Sequence, residues 1–171
     1  MPWAEQNSQH IVCINCENPY QIYCDLDQID KCITNLLSNA IKYSGRGSNI
    51  SITLIHTEQS LGIQIADNGH GISTSSQHQV FDRFYQEEPS VDASTQGSGI
   101  GLYIVKELIE LHHGSIELET DLNKGCLFTL WLPCGTSHFL KNQLIEATSV
   151  EENQGIEKGI FESENSKHTT V

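Results

Sequence analysis

The order of two hydrophobic periodicities along the chain constrains its fold more than any other feature. Apolar residues recur at the 3.6-residue spacing of an amphipathic helix over 26–41, with Asp25 as a predicted N-cap and Gly45 as the stop. Alternating apolar and polar residues follow over 49–57 and 60–66 and predict a hairpin.

Further helical and strand patterns complete this order. A second amphipathic helix is predicted over 100–112, followed by strands over 115–120 and 126–132. Two short strands are also predicted near the start, over 10–16 and 20–24. Strands that arrive in hairpin-like pairs between helices favour an α/β two-layer sandwich over a doubly wound fold, with a mixed sheet and helices on one face.

The chain divides into a short N-terminal segment at 1–9, one domain at 10–134 and a tail at 135–171. Its 171 residues fit one domain of ordinary size. The tail is polar and acidic with little periodicity, so we expect a largely disordered tail or linker. Within the domain, 68–99 is rich in Gly, Ser, Gln and acids, and so long a loop is typically functional or disordered.

Composition excludes several classes of partner. The chain has 22 acidic and 9 basic residues and a formal net charge of −13, so it lacks the clustered Lys and Arg that long polyanions and anionic lipids require. No apolar run approaches the roughly 18–20 residues of a membrane span. We therefore expect no nucleic acid partner and no membrane contact by this chain.

The six cysteines, with no signal peptide before them, favour reduced cytosolic thiols. Cys13 and Cys16 form a C-x-x-C motif, which leaves a zinc site as the less favoured alternative. In a strand, residues three apart point to opposite faces, and that geometry is poor for chelation.

The polar side of the first helix carries the first candidate site. Asn35, Asn39 and Lys42 form one stripe roughly opposite the apolar stripe. Asn is a weak helix former because its side chain competes for backbone hydrogen bonds, so two Asn four residues apart cost helix stability without a local benefit. The alternative is a polar face that arose by chance.

A second candidate is Asp67-x-Gly69-x-Gly71-Ile72, which follows the predicted strand over 60–66. A carboxylate there can accept a hydrogen bond from an exocyclic amine, and glycines let the backbone approach a flat ring closely. Ordinary turns at strand ends use the same residue types.

A third candidate is Gly97-Ser98-Gly99-x-Gly101-Leu102, at the start of the second helix. Glycines let successive backbone N–H groups point at one anion, and the positive end of the helix dipole adds to the attraction, so the segment is suited to holding phosphate. It is neither a P-loop nor a dinucleotide fingerprint.

Taken together, the segments 35–43, 67–72, 81–85 and 97–102 resemble the N, G1, F and G2 boxes of the catalytic ATP-binding domain of two-component sensor histidine kinases. The resemblance covers roughly residues 10–133 with the boxes in order. It implies a Bergerat ATP-binding fold, with a mixed sheet of about five strands, about three helices on one face, and a mobile ATP lid over about 68–99.

The resemblance also implies ATP and Mg²⁺ as ligands. Asn39 corresponds to the Mg²⁺ ligand and Asn35 to its companion, while Lys42 and Tyr43 correspond to residues that reach the phosphates and the ribose side. Asp67 corresponds to the carboxylate that reads the adenine amine. That role favours ATP over GTP, since guanine would place a carbonyl acceptor against the carboxylate.

The remaining positions follow by motif. The implied adenine-pocket glycines are Gly69 and Gly71, and the implied phosphate-contacting glycines are Gly97, Gly99 and Gly101. Ile72, Ser98 and Leu102 belong to the same motifs and are included in the implied cofactor site. Arg83 is the implied cation for the γ-phosphate, which places it with Asn39 and Lys42 in the catalytic set. Phe81 is included in the cofactor site, although Phe81, Phe84 and Tyr85 are also interpreted as packing that anchors the lid. Gln86 stands where many members carry a second arginine.

The implied activity is that of a protein-histidine kinase in two-component signalling. None of the eight histidines has a His-Glu-x-x-x-Pro-Leu setting, so we expect the phosphoacceptor on a separate histidine-containing dimerisation domain, with a response regulator or receiver domain downstream. The stretch 132–140 resembles the segment before a receiver in hybrid kinases. We expect this domain in the cytoplasm, in a parent protein that is compatible with an inner-membrane sensor.

Two alternatives remain. One is a nucleotide-sensing module of the same fold whose chemistry has decayed, with Gln86 as its first symptom. The other is a gyrase or mismatch-repair type ATPase, which needs a general-base Glu where this chain has Asn35.

Overall fold

One five-stranded mixed sheet organises the protein in the computed structural model, which describes residues 8–16, 22–86 and 98–139. In chain order the elements are β1 (His10–Ile14), α1 (Leu26–Tyr43), β2 (Asn49–His56), β3 (Ser60–Asp67), α2 (Gly101–Leu111), β4 (Ser115–Asp121) and β5 (Gly125–Pro133). The strand order is β1-β2-β3-β5-β4. β1 and β2 are parallel and the other neighbours are antiparallel, which confirms the predicted mixed sheet.

The first helix has the boundaries that its sequence predicts. The carboxylate of Asp25 accepts from the backbone N–H of Gln28 at 3.2 Å, and the Gln28 side chain donates back to Asp25 at 2.9 Å. This reciprocal pair satisfies a donor that the helix itself leaves unpaired. After Tyr43 the chain reaches Gly45, whose φ of 76° lies in the left-handed region.

The core lies between the two helices and one face of the sheet. Its buried residues are Ile29, Cys32, Leu36, Leu37, Ala40 and Ile41 of α1, Val105 and Ile109 of α2, and Ile50, Ile63, Ile65, Phe128, Leu130 and Leu132 of the strands. Burying each large aliphatic side chain contributes roughly 1.5–3 kcal/mol. Leu26 is the exception to the predicted stripe: it is 76% exposed, because burial along α1 begins one turn later at Ile29.

The prediction of a strand over 20–24 is wrong where the structure describes that segment, from Ile22 onward. Ile22 and Cys24 do pack against the core, which explains the alternating pattern. The segment leads into α1 instead: the Asp25 N–H donates to Nε2 of His112 at 3.0 Å, joining the start of α1 to the end of α2.

The prediction of reduced thiols is also wrong for Cys13 and Cys16, which are joined by a disulfide. The strand ends at Ile14, and Asn15 has a φ of 57°. The chain therefore turns between the two cysteines, so the opposite-face rule for a continuous strand does not apply.

The described part of the predicted loop 68–99 contains neither helix nor strand, and residues 74–81 form successive turns. The described residues contain α1 and α2 as their helices, so the fold is a two-layer α/β sandwich with both helices on one face of the sheet. Residues 140–171, most of the predicted tail, lie outside the described residues.

Candidate functional site

The C-terminal half of α1 carries the asparagine stripe on its half-buried side. The side-chain amide nitrogen of Asn35 donates to the carbonyl of Lys31 at 2.8 Å. Its amide oxygen faces Gly101 at the start of α2, where an added Cβ would lie 3.1 Å from that oxygen. Asn39 lies one turn further along and is half-buried as well. The two predicted asparagines therefore lie on the side of α1 that approaches α2.

Asp67 ends β3, and its carboxylate is held by the loop that follows. Oδ1 accepts from the backbone N–H of Gly69 at 2.8 Å. Burial raises the pKa of Asp67, while hydrogen bonds from the backbone N–H groups of Gly69 and Cys126 and the nearby His70 act in the opposite direction. A partly desolvated carboxylate with a fixed orientation is suited to accepting a hydrogen bond from a ligand amine.

Close backbone contact brings this loop to the end of α1. A Cβ on Gly69 would lie 2.6 Å from the Tyr43 carbonyl oxygen and 2.8 Å from Oδ1 of Asp67. Gly71 has a φ of 67°, and a Cβ there would overlap the carbonyl oxygen of Asp121. Neither glycine has room for a side chain, and Gly69 brings the predicted Asp67 motif against the C-terminal end of α1.

His70, which by sequence lies only inside the Asp67 motif, links that motif to the C-terminal end of α1. Its Nδ1 lies 2.9 Å from the Tyr43 carbonyl oxygen, and the two rings meet edge to face at 5.8 Å between centroids. Lys42 donates from Nζ to the Tyr43 hydroxyl at 3.0 Å and lies 4.7 Å from its ring centroid. Lys42 and His70 therefore both contact Tyr43.

Gln9, directly before β1, supports the same helix end, and sequence reasoning missed it. Its side-chain nitrogen donates to the carbonyls of Ile41 and Gly45, each at 2.8 Å. Gln9 is 8% exposed. The sequence shows only a glutamine directly before a predicted strand. Its hydrogen-bond partners are more than thirty residues away, so no local pattern marks its role.

The glycine motif before α2 contacts the aromatic motif. The Phe84 N–H donates to the Gly99 carbonyl at 2.8 Å, and a Cβ on Gly99 would lie 2.7 Å from the Tyr85 carbonyl oxygen. The Ser98 hydroxyl accepts from the Ile100 N–H at 3.4 Å. Gly97 lies outside the described residues.

The start of α2 leaves backbone donors available. Ile100 is the N-cap and its side chain makes no capping hydrogen bond, so the Ser98 hydroxyl, which accepts from the Ile100 N–H, is the side-chain acceptor that the described residues place at this helix start. Leu102 instead packs against the core. Uncapped N–H groups at the positive end of a helix are suited to binding an anion.

Phe81 and Phe84 differ in their environments. Phe81 meets the core residue Phe128 edge to face at 6.4 Å between centroids, which agrees with an anchoring role. Phe84 is 61% exposed with a φ of 68°, so the interpretation of Phe84 as an anchor is wrong. The guanidinium of Arg83 lies 4.8 Å from the Phe84 ring centroid. Arg83 therefore stacks on an exposed ring in this conformation.

Comparisons with known proteins agree on one family. Residues 24–136 match the family described as histidine kinase-, DNA gyrase B-, and HSP90-like ATPase. The Staphylococcus aureus sensor protein SrrB is 41% identical over 109 residues, which are 64% of this chain and 19% of SrrB. The chain thus corresponds to about a fifth of that relative's length.

Solved structures show the same architecture. The mycobacterial sensor histidine kinase MprB is 26% identical with a TM-score of 0.64, covering 76% of this chain and 85% of that one. The catalytic domain of histidine kinase ThkA, 23% identical with a TM-score of 0.66 over 76% of this chain and 83% of that one, has the same fold. Among the helices of the described residues, none has the length and apolar character needed to cross a bilayer.

Proposed function

This chain belongs to the histidine kinase-, DNA gyrase B-, and HSP90-like ATPase family and is a catalytic ATP-binding domain of the sensor histidine kinase type; from that premise we propose how it presents ATP to a histidine on another domain. The observation that carries the proposal is the contact between the Asp67 loop and the C-terminal end of α1. Gly69 approaches so closely that an added Cβ would lie 2.6 Å from the Tyr43 carbonyl oxygen, which brings the Asp67 loop next to the helix that carries Asn39.

Asp67 reads the adenine. Its carboxylate already accepts from Gly69, and its remaining lone pairs can accept from the exocyclic amine of adenine. Guanine presents a carbonyl at that position, so two acceptors would face each other without a proton between them. Gly69, Gly71 and Ile72 supply the surrounding wall, and the nucleotide is therefore ATP.

The phosphate side is formed by neutral donors and one lysine. Gly99, Gly101 and the uncapped N–H groups at the start of α2 hold the triphosphate, with Ser98 beside them. Lys42 and Tyr43 approach from the end of α1. Since the chain carries a net charge of −13, binding relies on these local donors rather than on a basic surface.

Mg²⁺ fits the amide oxygens of α1. Oxygen ligands are those that Mg²⁺ prefers, and the Asn35 amide nitrogen is occupied by Lys31, which leaves its oxygen facing Gly101 and the start of α2. Asn39, one turn further on, is the proposed direct ligand and Asn35 the second. When bound, Mg²⁺ neutralises phosphate charge during transfer.

Arg83 completes the catalytic set together with Asn39 and Lys42. In this conformation its guanidinium lies on Phe84, so it must leave that ring to reach the γ-phosphate. Phe81 stays packed on Phe128 and fixes the start of this segment. Gln86, three residues beyond Arg83, carries no charge, so Arg83 is the cation that this motif supplies.

The proposed partners follow from the reaction. The phosphoryl group goes to a histidine on a dimerisation domain, and from there to a response regulator or receiver domain. A domain that consumes ATP in this way works where ATP is supplied, so we place it in the cytoplasm. The protein contributes orientation and charge stabilisation to an in-line transfer rather than covalent chemistry.

Phosphoryl transfer tests the proposal. The chain is incubated with Mg²⁺, ATP radiolabelled on the γ-phosphate, and the histidine-containing domain of the full-length protein. We expect a labelled histidine domain, and loss of the label by roughly 100-fold with Asn39→Ala. Ser38→Ala, on the neighbouring exposed position of α1, is the matched control and retains transfer. Transfer that survives Asn39→Ala contradicts the assignment of the metal ligand.

A further inference from the structure

The hairpin between β4 and β5 packs against the Asp67 loop, although no motif marks it in the sequence. The Asn123 N–H donates to the His70 carbonyl at 2.6 Å. The Asp121 carbonyl occupies the space that a Cβ on Gly71 would need, and Gly125 approaches the backbone of Asp67 in the same way. The hairpin is therefore part of the wall behind the site.

Thr120, the penultimate residue of β4, connects the hairpin to both sides of this wall. Its hydroxyl oxygen accepts from the Ile72 N–H at 3.0 Å, and its proton is donated to the Gly125 carbonyl at 2.8 Å. The Cys126 sulfur lies 3.4 Å from the same oxygen. One hydroxyl thus acts as acceptor and donor at once, which neither a carbonyl nor an amide N–H can do.

The backbone carbonyl of Thr120 binds the next segment. It accepts from the side-chain nitrogen of Gln77 at 3.0 Å, and that nitrogen also lies 3.3 Å from the Ile72 carbonyl. Ile72 is consequently fixed on both its N–H and its carbonyl. The bond from Ile72 to the Thr120 hydroxyl spans 48 residues of sequence, and the bond from Gln77 to the Thr120 carbonyl spans 43.

We propose that Thr120 is a positioning residue for adenine recognition: its hydroxyl holds Ile72 on one side and the Gly125-Cys126 backbone on the other. The proposal rests on the proposed function, in which Asp67 and Ile72 contact the adenine.

The geometry gives Thr120 a path to Asp67 without direct contact. Gly125, which precedes Cys126, packs against the backbone of Asp67 so closely that an added Cβ would overlap the Asp67 carbonyl oxygen, so the position of Gly125 affects that of Asp67. The Thr120 hydroxyl donates to the carbonyl of this same Gly125 at 2.8 Å and thereby helps to hold it in place. Loss of the hydroxyl leaves the half-buried Ile72 N–H without its acceptor and frees the Gly125 carbonyl.

A pair of substitutions separates the hydroxyl from the shape of the side chain. Thr120→Val keeps the branched shape and removes the hydroxyl, whereas Thr120→Ser keeps the hydroxyl and removes a methyl group. Thr129→Val is the matched control, because Thr129 is a buried threonine whose hydroxyl accepts from Gln64 on the opposite face of the sheet. Thr129→Val therefore measures the effect of losing a threonine hydroxyl away from the site.

Two measurements on the full chain test the positioning role of Thr120. Hydrogen exchange of the Ile72 amide is followed without nucleotide, and the dissociation constants of ATP·Mg and GTP·Mg are measured by calorimetry. For Thr120→Val we expect about fivefold faster exchange at Ile72, about fivefold weaker ATP binding and a smaller ratio of ATP to GTP affinity. We expect wild-type values for Thr120→Ser and Thr129→Val.

The outcomes distinguish this proposal from the function on which it rests. If wild-type chain does not prefer ATP over GTP, the proposed adenine site is wrong, whatever Thr120 does to Ile72 exchange. If wild-type chain prefers ATP and Thr120→Val binds it equally well, the positioning role is overturned. Equal loss in Thr120→Val and Thr120→Ser also overturns it, because the hydroxyl would then not be the group that matters.

Discussion

The two ends of the candidate site differ in how many fixed contacts hold them. At the Asp67 end, the loop is bound to α1 through His70 and Gly69, and to the β4–β5 hairpin through Thr120 and Asn123. At the Arg83 end, the guanidinium lies on an exposed phenylalanine, and a single backbone bond from Phe84 to Gly99 joins the described parts of the two motifs.

From this difference we infer that the Asp67 end serves nucleotide recognition and the Arg83 end serves phosphoryl transfer. An adenine pocket that is complete before the nucleotide arrives loses little conformational entropy on binding. A cation that must leave a stacking partner contributes most where charge develops during transfer. We therefore expect substitutions at the first end to change stability and affinity, and substitutions at the second end to change the rate.

The largest expected effect comes from breaking the close packing at the Asp67 end. Gly71→Ala adds a Cβ that overlaps the Asp121 carbonyl and strains a left-handed residue. We expect it to lower the free energy of unfolding by about 3 kcal/mol in urea denaturation and to remove ATP binding. Gly45→Ala is the matched control, because Gly45 has a similar φ of 76° and no atom within 4 Å of the added Cβ.

Gly45→Ala separates the effect of the close contact from the effect of the left-handed backbone conformation. For Gly45→Ala we expect a loss of about 1 kcal/mol, due to the left-handed conformation alone, with ATP affinity retained. If both variants lose the same stability, the contact between the loop and the hairpin contributes nothing, and the contrast between the two ends disappears.

A smaller effect, on rate alone, is expected at the other end. Arg83→Gln removes the charge that we propose for stabilising the transferring phosphoryl group, and we expect transfer to slow about tenfold while the dissociation constant of ATP·Mg changes by less than about twofold. Single-turnover transfer and calorimetry measure the two quantities separately. Arg46→Gln, an exposed arginine after α1, is the control for general charge and should leave both unchanged.

A parallel loss of affinity and rate in Arg83→Gln would place Arg83 on the phosphates already in the ground state. The Arg83 end would then be as preorganised as the Asp67 end.

The parts of the candidate site that could be predicted from the sequence are those whose residues are close together in the chain. The Asn35 stripe follows from helical period, and the glycines of the Asp67 motif follow from the need for close approach. Both are local patterns, and the structure places Asn35 against Gly101 and Gly69 against the end of α1. The strand and helix order was predictable for the same reason, because each element carries its own period.

Residues with distant partners were not predictable. Thr120 and His70 have ordinary local contexts, and their roles arise from partners 48 and 27 residues away. The disulfide of Cys13 and Cys16 was missed for a local reason, since the left-handed conformation of Asn15 ends the strand that the apolar pattern suggested.

The smallest expected effect concerns the pH dependence of the preformed end. Burial raises the pKa of Asp67, so the folded chain holds this proton more tightly than the unfolded chain does. The stabilising contribution is therefore complete below the ordinary Asp value of 3.8 and is lost as pH rises through the raised folded value. Asp67→Asn removes this dependence, so its stability relative to wild type should increase as pH rises through that window.

Urea unfolding of the two proteins at a series of pH values measures the difference directly. We expect affinity to change in the opposite sense: wild-type chain should gain ATP affinity as Asp67 ionises, whereas Asp67→Asn should bind weakly at every pH, because it lacks the carboxylate that we propose accepts from the adenine amine. Stability and binding then respond oppositely to one proton, as expected where a charge is kept partly buried for recognition. A constant stability offset between the two proteins across the pH range would show that the buried carboxylate carries no such cost.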